Sequence, residues 1–202
     1  YAELQKGAGR GYRNFYYTNI GTGIGGAMFI DGRTFDSIGY GGVYMGNTYV
    51  ADYRANAGDV CRLEELCSGR GIEDQLRKSG TVREDSLMFE MCGGDTQKLT
   101  CAMLGRAAEQ GDKTAIRCID RFARAYGIAI ANFISLFSPE CVAVGGGVAN
   151  LGETILAPVR KYVGEYVFIS AKGRYDIVQC ELMDQNVLVG AALYARDGFL
   201  TI

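Results

Sequence analysis

The most informative part of the sequence is YYTNIGTGIGGAMFIDGR, residues 16–33, in which two short β-type runs enclose a glycine-rich turn. The second run is apolar and ends at Asp31-Gly32, a dipeptide typical of a hairpin turn. We therefore predict strands over 15–20 and 27–30, and a glycine-rich turn that joins strand to strand. The usual glycine-rich nucleotide motifs precede a helix, and residues 21–26 match neither the Walker nor the Rossmann pattern.

The glycine-rich turn carries one hydroxyl, on Thr22, and its function has two interpretations. Glycine lets a backbone come close to a ligand, and consecutive exposed N–H groups can form an anion-binding concavity. Tight turns that bind nothing are also rich in glycine. The turn alone does not separate an anion cradle from a simple hairpin connection.

Composition limits the class of protein. The chain has 202 residues, of which 48% are apolar and 22% charged, and its formal net charge is −2. These values are typical of a globular domain with a substantial core, and the charge gives no support for nucleic acid as a partner. No apolar run approaches the roughly 20 residues of a membrane span, so no membrane segment is predicted.

Histidine is absent, and seven cysteines are scattered along the chain. The absence of histidine excludes Ser-His-Asp and Cys-His nucleophiles and imidazole metal ligands. The cysteines have no zinc-ligand spacing, and several lie in apolar runs, as Cys141 does. This pattern favours reduced, buried thiols and predicts a cytoplasmic protein.

Hydrophobic periodicity predicts the other elements. Apolar residues recur every three or four positions from Asp112 to Leu136, which indicates a long amphipathic helix capped by Asp112 and stopped at Ser138-Pro139. The order of elements indicates an α/β fold with a mixed β-sheet flanked by helices. The other predicted elements are strands at 141–144 and 177–180, and helices at 63–76 with a break at 68–71, 99–110, 151–163 and 186–196.

A second glycine turn, Gly145-Gly146-Gly147, follows the buried strand 141–144 and precedes a helix. Open α/β sheets bind ligands at such positions, which suggests an approach to the adenosine or phosphates of a nucleotide. The alternative interpretation is close packing of the helix on the strand.

Taken together, the two turns and the segments around them resemble the ROK family of repressors, open reading frames and sugar kinases, part of the hexokinase–actin-like superfamily. The resemblance runs nearly end to end. It is carried by GAGRGYRN at 7–14, GTGIGG at 21–26, SGRGI at 68–72, AAEQGD at 107–112, YGIAIAN at 126–132, VAVGGGV at 142–148 and NVLVGAA at 186–192.

This resemblance implies a two-lobed actin-like, or ribonuclease H-like, ATPase fold with the active site between the lobes. Residues 1–202 correspond to a single C-terminal lobe, and the N-terminal lobe with the catalytic base would precede Tyr1. We therefore expect no catalytic base in this chain and no phosphorylation by this lobe alone. The partners implied are the missing lobe, a small-molecule sugar and a second copy in a homodimer.

The implied cofactor is ATP with Mg, held by both glycine turns. The resemblance places Gly146 and Gly147 beside the adenosine. The residues that would clamp the phosphates are Gly21, Thr22, Gly23 and Gly25.

The sugar-binding segment departs from the family pattern. The family's Gly-Glu-x-Gly-His aligns with residues 43–47, so Tyr44 stands at the Glu position and Asn47 at the His position. Glu64 is the family carboxylate that remains, as a sugar contact or as an acid favoured at a helix N-terminus. Tyr44 would either contact a sugar or fill the space of the family's zinc loop.

The zinc segment has lost its ligands. Ala55, Ala57 and Arg62 stand at the three cysteine positions, and Cys61 is one residue away from the third. Zinc needs four ligands, mostly thiolate or imidazole, so we expect no zinc. We expect Asn47 and Arg62 to hydrogen-bond across the vacated space.

The function that the resemblance implies is the C-terminal lobe of a glucokinase-like, ATP-dependent sugar phosphotransferase with altered sugar-binding residues. The alternative is a sugar-responsive ROK-type transcriptional regulator or a pseudokinase. A third is a lobe kept mainly for dimerisation. An Asp-x-Gly-Gly-Thr loop upstream favours the kinase, and a helix-turn-helix favours the repressor.

Overall fold

A mixed five-stranded sheet forms the centre of the chain, of which the computed structural model describes residues 1–35, 43–53 and 58–197. The predicted α/β class is confirmed. In chain order the elements are α1 (Ala2–Lys6), β1 (Phe15–Ile20), β2 (Ile24–Ile30), β3 (Arg33–Thr34), β4 (Tyr49–Ala51), β5 (Val60–Arg62), α2 (Leu63–Cys67), α3 (Gly69–Leu76), α4 (Leu87–Met91), α5 (Cys101–Glu109), α6 (Lys113–Phe137), β6 (Cys141–Gly145), α7 (Glu153–Tyr166), β7 (Asp176–Gln179) and α8 (Asn186–Arg196).

The strand order is β3-β2-β1-β6-β7. β1 pairs antiparallel with β2, and the register Ile20↔Ile24 confirms that the first glycine turn joins strand to strand. Asp31 and Gly32 both have positive φ and connect β2 to β3, as predicted. On its other side β1 pairs parallel with β6, which pairs parallel with β7. The carboxyl ends of β1, β6 and β7 therefore lie at the same edge of the sheet.

Helices cover both faces of this sheet. α6 and α7 pack on the face that carries Tyr16, Ile20 and Val144, and Tyr16 stacks on Phe133 with ring centroids 3.8 Å apart. α1 and α8 pack against each other on the opposite face, which carries Phe15 and other apolar side chains. Because both faces of β1 are buried, packing fixes the position of its last residue, Ile20, at the edge of the sheet.

The long helix α6 begins and ends where the sequence predicts. Asp112 Oδ1 accepts a hydrogen bond of 2.8 Å from the Ala115 amide, which caps the first turn. Ser138 ends the helix in the left-handed conformation, with φ of 50°. α4 and the small β4–β5 sheet were not predicted, because elements of three to five residues show too little periodicity.

Six of the seven cysteine side chains are buried, in agreement with the prediction, and that of Cys118 is half-buried. None of the helices in the described ranges is both long and apolar enough to cross a bilayer.

Candidate functional site

The two glycine turns meet at the sheet edge where β1 and β6 end. Gly146 has a φ of +86°, and a Cβ at this position would lie 2.6 Å from the carbonyl oxygen of Ile20. A larger residue would therefore both clash and adopt a strained backbone. Glycine at this position allows the end of β6 to lie directly against the last residue of β1.

The start of α3 docks between the two turns. The Gly69 amide donates a 2.7 Å hydrogen bond to the Gly21 carbonyl, and a Cβ on Gly69 would lie 3.3 Å from Val148 Cγ2. The Ser68 side chain caps this helix by accepting a 3.0 Å hydrogen bond from the Gly71 amide. The motif SGRG is thus a capped helix start that fits against both glycine turns.

A cleft of about 540 Å³ opens at this junction, and we call it the glycine cleft. It is lined by Ile20, Gly21, Thr22, Gly69, Arg70, Glu73, Thr100, Cys101, Ala102, Gly147 and Val148. Among the described residues, the amides of Thr22 and Gly23 donate no hydrogen bond, whereas the Gly21 amide donates to the Gly23 carbonyl. Exposed N–H groups and the Thr22 hydroxyl are donors that fit the phosphates of a nucleotide.

Gly25 lies in β2 and not in the turn. Its amide donates a 3.2 Å hydrogen bond to Asn19 Oδ1, and its carbonyl accepts one of 3.1 Å from the Thr18 hydroxyl. A Cβ on Gly25 would lie 2.8 Å from Asn19 Oδ1. Side-chain packing within the hairpin therefore accounts for this glycine, and its amide is not available for the phosphate contact that the sequence suggested.

A second cleft, of about 630 Å³, adjoins the first, and we call it the carboxylate cleft. Its charged lining residues are Arg62, Glu64, Glu65, Arg70, Asp74 and Lys78. Glu64 Oε2 lies 3.1 Å from where a Cβ on Gly23 would be, so the predicted sugar contact and the first glycine turn lie together. Thr22 and Arg70 line both clefts.

Arg62 contacts two of the three carboxylates that line this cleft. Its guanidinium lies 3.2 Å from Glu64 Oε1 and donates a 2.8 Å hydrogen bond to Glu65 Oε1. The expected hydrogen bond between Arg62 and Asn47 is therefore wrong: α2 begins directly after Arg62, which places both glutamates within reach of the guanidinium. Arg62 therefore contacts one oxygen of the Glu64 carboxylate, Oε1, whereas Oε2 lies next to the first glycine turn.

Tyr44 and Asn47 occupy different places. Tyr44 lines an apolar groove of about 550 Å³ between β4 and the C-terminal half of α6, and Glu64 does not line this groove. Asn47 is exposed and precedes Thr48, whose carbonyl accepts a 2.8 Å hydrogen bond from the Leu63 amide. Asn47 is thus near the start of α2, whereas Tyr44 is not brought together with Glu64.

Positions 55 and 57 of the family's zinc segment lie outside the described residues. Cys61 is buried on β5. Within residues 1–35, 43–53 and 58–197, no three cysteine or carboxylate side chains are grouped to hold a metal ion. The absence of zinc stays a prediction.

Two parts of the glycine cleft were not predicted as site residues. Arg70 lines the cleft. Its motif, SGRG, contributed to the family resemblance but did not indicate that the arginine would lie next to the glycine turn. The start of α5 contributes Cys101, whose burial and neighbour Glu73 raise the pKa of the thiol to about 12. This thiol is therefore protonated and unsuited to act as a nucleophile.

Comparison with known proteins identifies relatives along the whole chain. The sequence model of the ROK family matches residues 1–198. A glucokinase of Thermotoga maritima is 32% identical over 193 residues, which are 95% of this chain and 61% of that protein.

Two solved structures have the same fold. A ROK family glucokinase from Streptomyces griseus, in complex with glucose and AMPPNP, has a TM-score of 0.85 and 25% identity, covering 98% of this chain and 65% of that one. A ROK family transcriptional regulator, a homologue of the E. coli MLC protein, has a TM-score of 0.80 and 25% identity, covering 96% of this chain and 48% of that one. The chain thus spans less than two thirds of each of these relatives.

Proposed function

The chain belongs to the ROK family, and we propose that it forms the C-terminal lobe of an ATP-dependent sugar kinase with an altered sugar subsite and no zinc. The glycine cleft is the nucleotide subsite in this proposal, and the neighbourhood of Glu64 is the sugar subsite. The observation that carries it is the contact between Gly146 and Ile20, which joins the two glycine turns into one cleft.

ATP with Mg supplies the phosphoryl group when bound in the full-length protein. The free amides of Thr22 and Gly23 and the Thr22 hydroxyl would bind phosphate oxygens, and Gly147 would border the adenosine. Gly146 acts indirectly, because it allows the turns to meet. The glucokinase from Streptomyces griseus, which was solved with AMPPNP and glucose, supports this assignment by its likeness in fold.

The sugar would bind where Glu64 faces the first glycine turn. Its carboxylate can accept hydrogen bonds from ring hydroxyls, and the hydrogen bond from Leu63 to Thr48 brings the neighbouring Asn47 to the start of the same helix, where its amide could add a contact. Because Arg62 already binds this carboxylate, a sugar has to displace the guanidinium or bind beside it. We do not include Tyr44, because its groove is separate.

The second lobe of the kinase would complete the cleft and supply the catalytic base. Helix α8 supports this part of the proposal: Val187 and Leu188 are 84% and 77% exposed on a helix of which only Leu193 is buried. An exposed apolar face is a typical interaction surface, and the relatives are longer than this chain by at least a third. Homodimerisation and a cytoplasmic location stay predictions.

The test is an ADP-release assay of the full-length parent protein against a panel of hexoses and amino sugars. We expect turnover with at least one sugar, and a large loss of kcat/KM in Glu64→Gln. Glu65→Gln is the matched control, because Glu65 also binds Arg62, but it is Glu64 whose carboxylate lies next to Gly23. No turnover with any sugar by a correctly folded protein would contradict the kinase.

A sugar-responsive regulator is the second candidate. It is favoured by the likeness to the ROK regulator and by the Arg62–Glu64 pair, which occupies the carboxylate that a kinase needs for its sugar. Sugar binding without turnover in the same panel, together with a helix-turn-helix segment upstream, would support it.

A further inference from the structure

Arg70 lies on the first turn of α3 and lines both the glycine cleft and the carboxylate cleft. Its side chain is 75% exposed, and its Nε lies 3.9 Å from Asp74 Oδ2, which is beyond hydrogen-bonding distance. The guanidinium is therefore held only weakly by Asp74 and can turn toward either cleft.

Arg70 also supplies the uncompensated charge of the glycine cleft. The other charged lining residue is Glu73, whose carboxylate is 2.9 Å from Arg77 and accepts a 3.1 Å hydrogen bond from the Cys101 amide. Arg77 does not line the cleft, so it neutralises Glu73 from outside. The remaining charge in the cleft is positive and lies next to Thr22.

The cations of the carboxylate cleft differ in the same way. Arg62 is bound by two carboxylates, whereas Arg70 has one distant partner. Arg70 lines both clefts, whereas Arg62 and Lys78 line only the carboxylate cleft, so Arg70 is the cation placed at their junction. A guanidinium binds phosphate through two N–H groups at once and is more weakly hydrated than an ammonium, which suits it to this position.

We propose that Arg70 binds the phosphate chain of a nucleoside triphosphate at the junction of the two clefts, and so directs its terminal phosphate toward Glu64. This inference rests on the proposed function, and it assigns a phosphate-binding role to a residue that belongs to neither glycine turn. Lys78 lines the carboxylate cleft but not the glycine cleft, and it lies beyond the C-terminal end of α3, so it is not placed at the junction of the two clefts.

The test is calorimetric titration of the full-length parent protein with ATP and Mg, and separately with adenosine. Arg70→Gln should weaken ATP binding about tenfold or more, as expected for a charge-assisted hydrogen bond, and leave adenosine binding unchanged. Arg70→Lys should restore part of the ATP affinity, because it keeps the charge without the fork geometry. Raising the salt concentration should reduce the difference between the wild type and Arg70→Gln.

Arg83→Gln is the matched control. Arg83 is an exposed arginine that binds Asp85 and lines neither cleft, so its loss changes the net charge equally. Thermal unfolding of each variant checks that the fold is intact.

The outcomes separate the two proposals. If Arg70→Gln binds ATP as tightly as Arg83→Gln does, the role proposed for Arg70 is wrong, but the assignment of the nucleotide subsite is unaffected. Equal weakening for ATP and adenosine would show a structural effect and also overturn the role of Arg70. If the wild-type full-length protein binds neither ligand, the assignment of the nucleotide subsite is wrong, and the proposed role of Arg70 is wrong with it.

Discussion

The glycine cleft and the carboxylate cleft share Thr22 and Arg70 but are built differently. Backbone contacts form the first: Gly146 lies against Ile20, and Gly69 binds Gly21. Partly exposed charged side chains form the second, where Arg62 binds Glu64 and Glu65. The glycine cleft is therefore part of the fold, whereas we expect the charged side chains of the carboxylate cleft to exchange partners at little cost to the free energy of unfolding.

The largest expected effect comes from Gly146→Ala. The new Cβ would lie 2.6 Å from the Ile20 carbonyl oxygen at a φ of +86°, so the two turns must move apart. We expect the free energy of unfolding to fall by about 3 kcal/mol from overpacking and backbone strain together. Urea denaturation measures it.

Gly147→Ala is the neighbouring control. A Cβ there meets no atom within 4 Å, and its φ lies outside the left-handed region. We expect a change below about 1 kcal/mol. Equal losses in the two variants would mean that the contact between the turns does not hold the glycine cleft together.

A smaller loss in the free energy of unfolding is expected on substitution of Asp112, whose carboxylate binds backbone amides instead of an arginine side chain. It accepts hydrogen bonds from the amides of Ala115 and Leu87 and from the Ser86 hydroxyl. Asp112→Ala removes this cap of α6 and should lower the free energy of unfolding by about 2 kcal/mol. Asp85→Ala, which removes an exposed carboxylate bound to Arg83, should change it by less than about 0.5 kcal/mol.

The contribution of the Asp112 carboxylate to the free energy of unfolding should depend on pH. Burial opposes ionisation of this carboxyl, but hydrogen bonds from Ala115, Ser86 and Leu87 outweigh burial and lower its pKa. The contribution is therefore complete above the unfolded pKa of about 3.9 and is lost as the pH falls through the lower folded pKa. The gap between the wild type and Asp112→Ala should narrow below about pH 4; a constant gap down to pH 2 would contradict the assignment.

The backbone-built part of the molecule was predictable from the sequence. The hairpin over residues 15–30, the helix over 112–137 and the strand before Gly145 follow from glycine positions and apolar periodicity, which are local properties. The extension of β2 to Ile24 was missed, because Gly25 and Gly26 resemble turn residues. They lie in the strand because Asn19 and the Tyr16 hydroxyl occupy the space of their missing side chains.

The side-chain-built part was not predictable in the same way. Alignment with a family pattern indicated Glu64, yet its partner Arg62 was assigned to Asn47. The Arg62 contacts depend on α2 starting at Leu63, and the position of Tyr44 depends on its groove with α6. The groove is set by packing between segments distant in sequence, and the Arg62 contacts depend on the exact first residue of a five-residue helix; neither periodicity nor motif spacing gives these.

The smallest effect on stability is expected at Arg62, and it tests the carboxylate cleft directly. The Arg62, Glu64 and Glu65 side chains are 44%, 29% and 44% exposed, so water screens both ion pairs. Arg62→Gln should lower the free energy of unfolding by less than about 1 kcal/mol, and the loss should disappear in 1 M NaCl, where the Debye length is about 3 Å. Urea denaturation at two salt concentrations measures both. A loss above about 2 kcal/mol that persists in salt would mean that these charges support the fold. The carboxylate cleft would then be as structural as the glycine cleft, and a ligand could not displace Arg62 from Glu64 without loosening the start of α2.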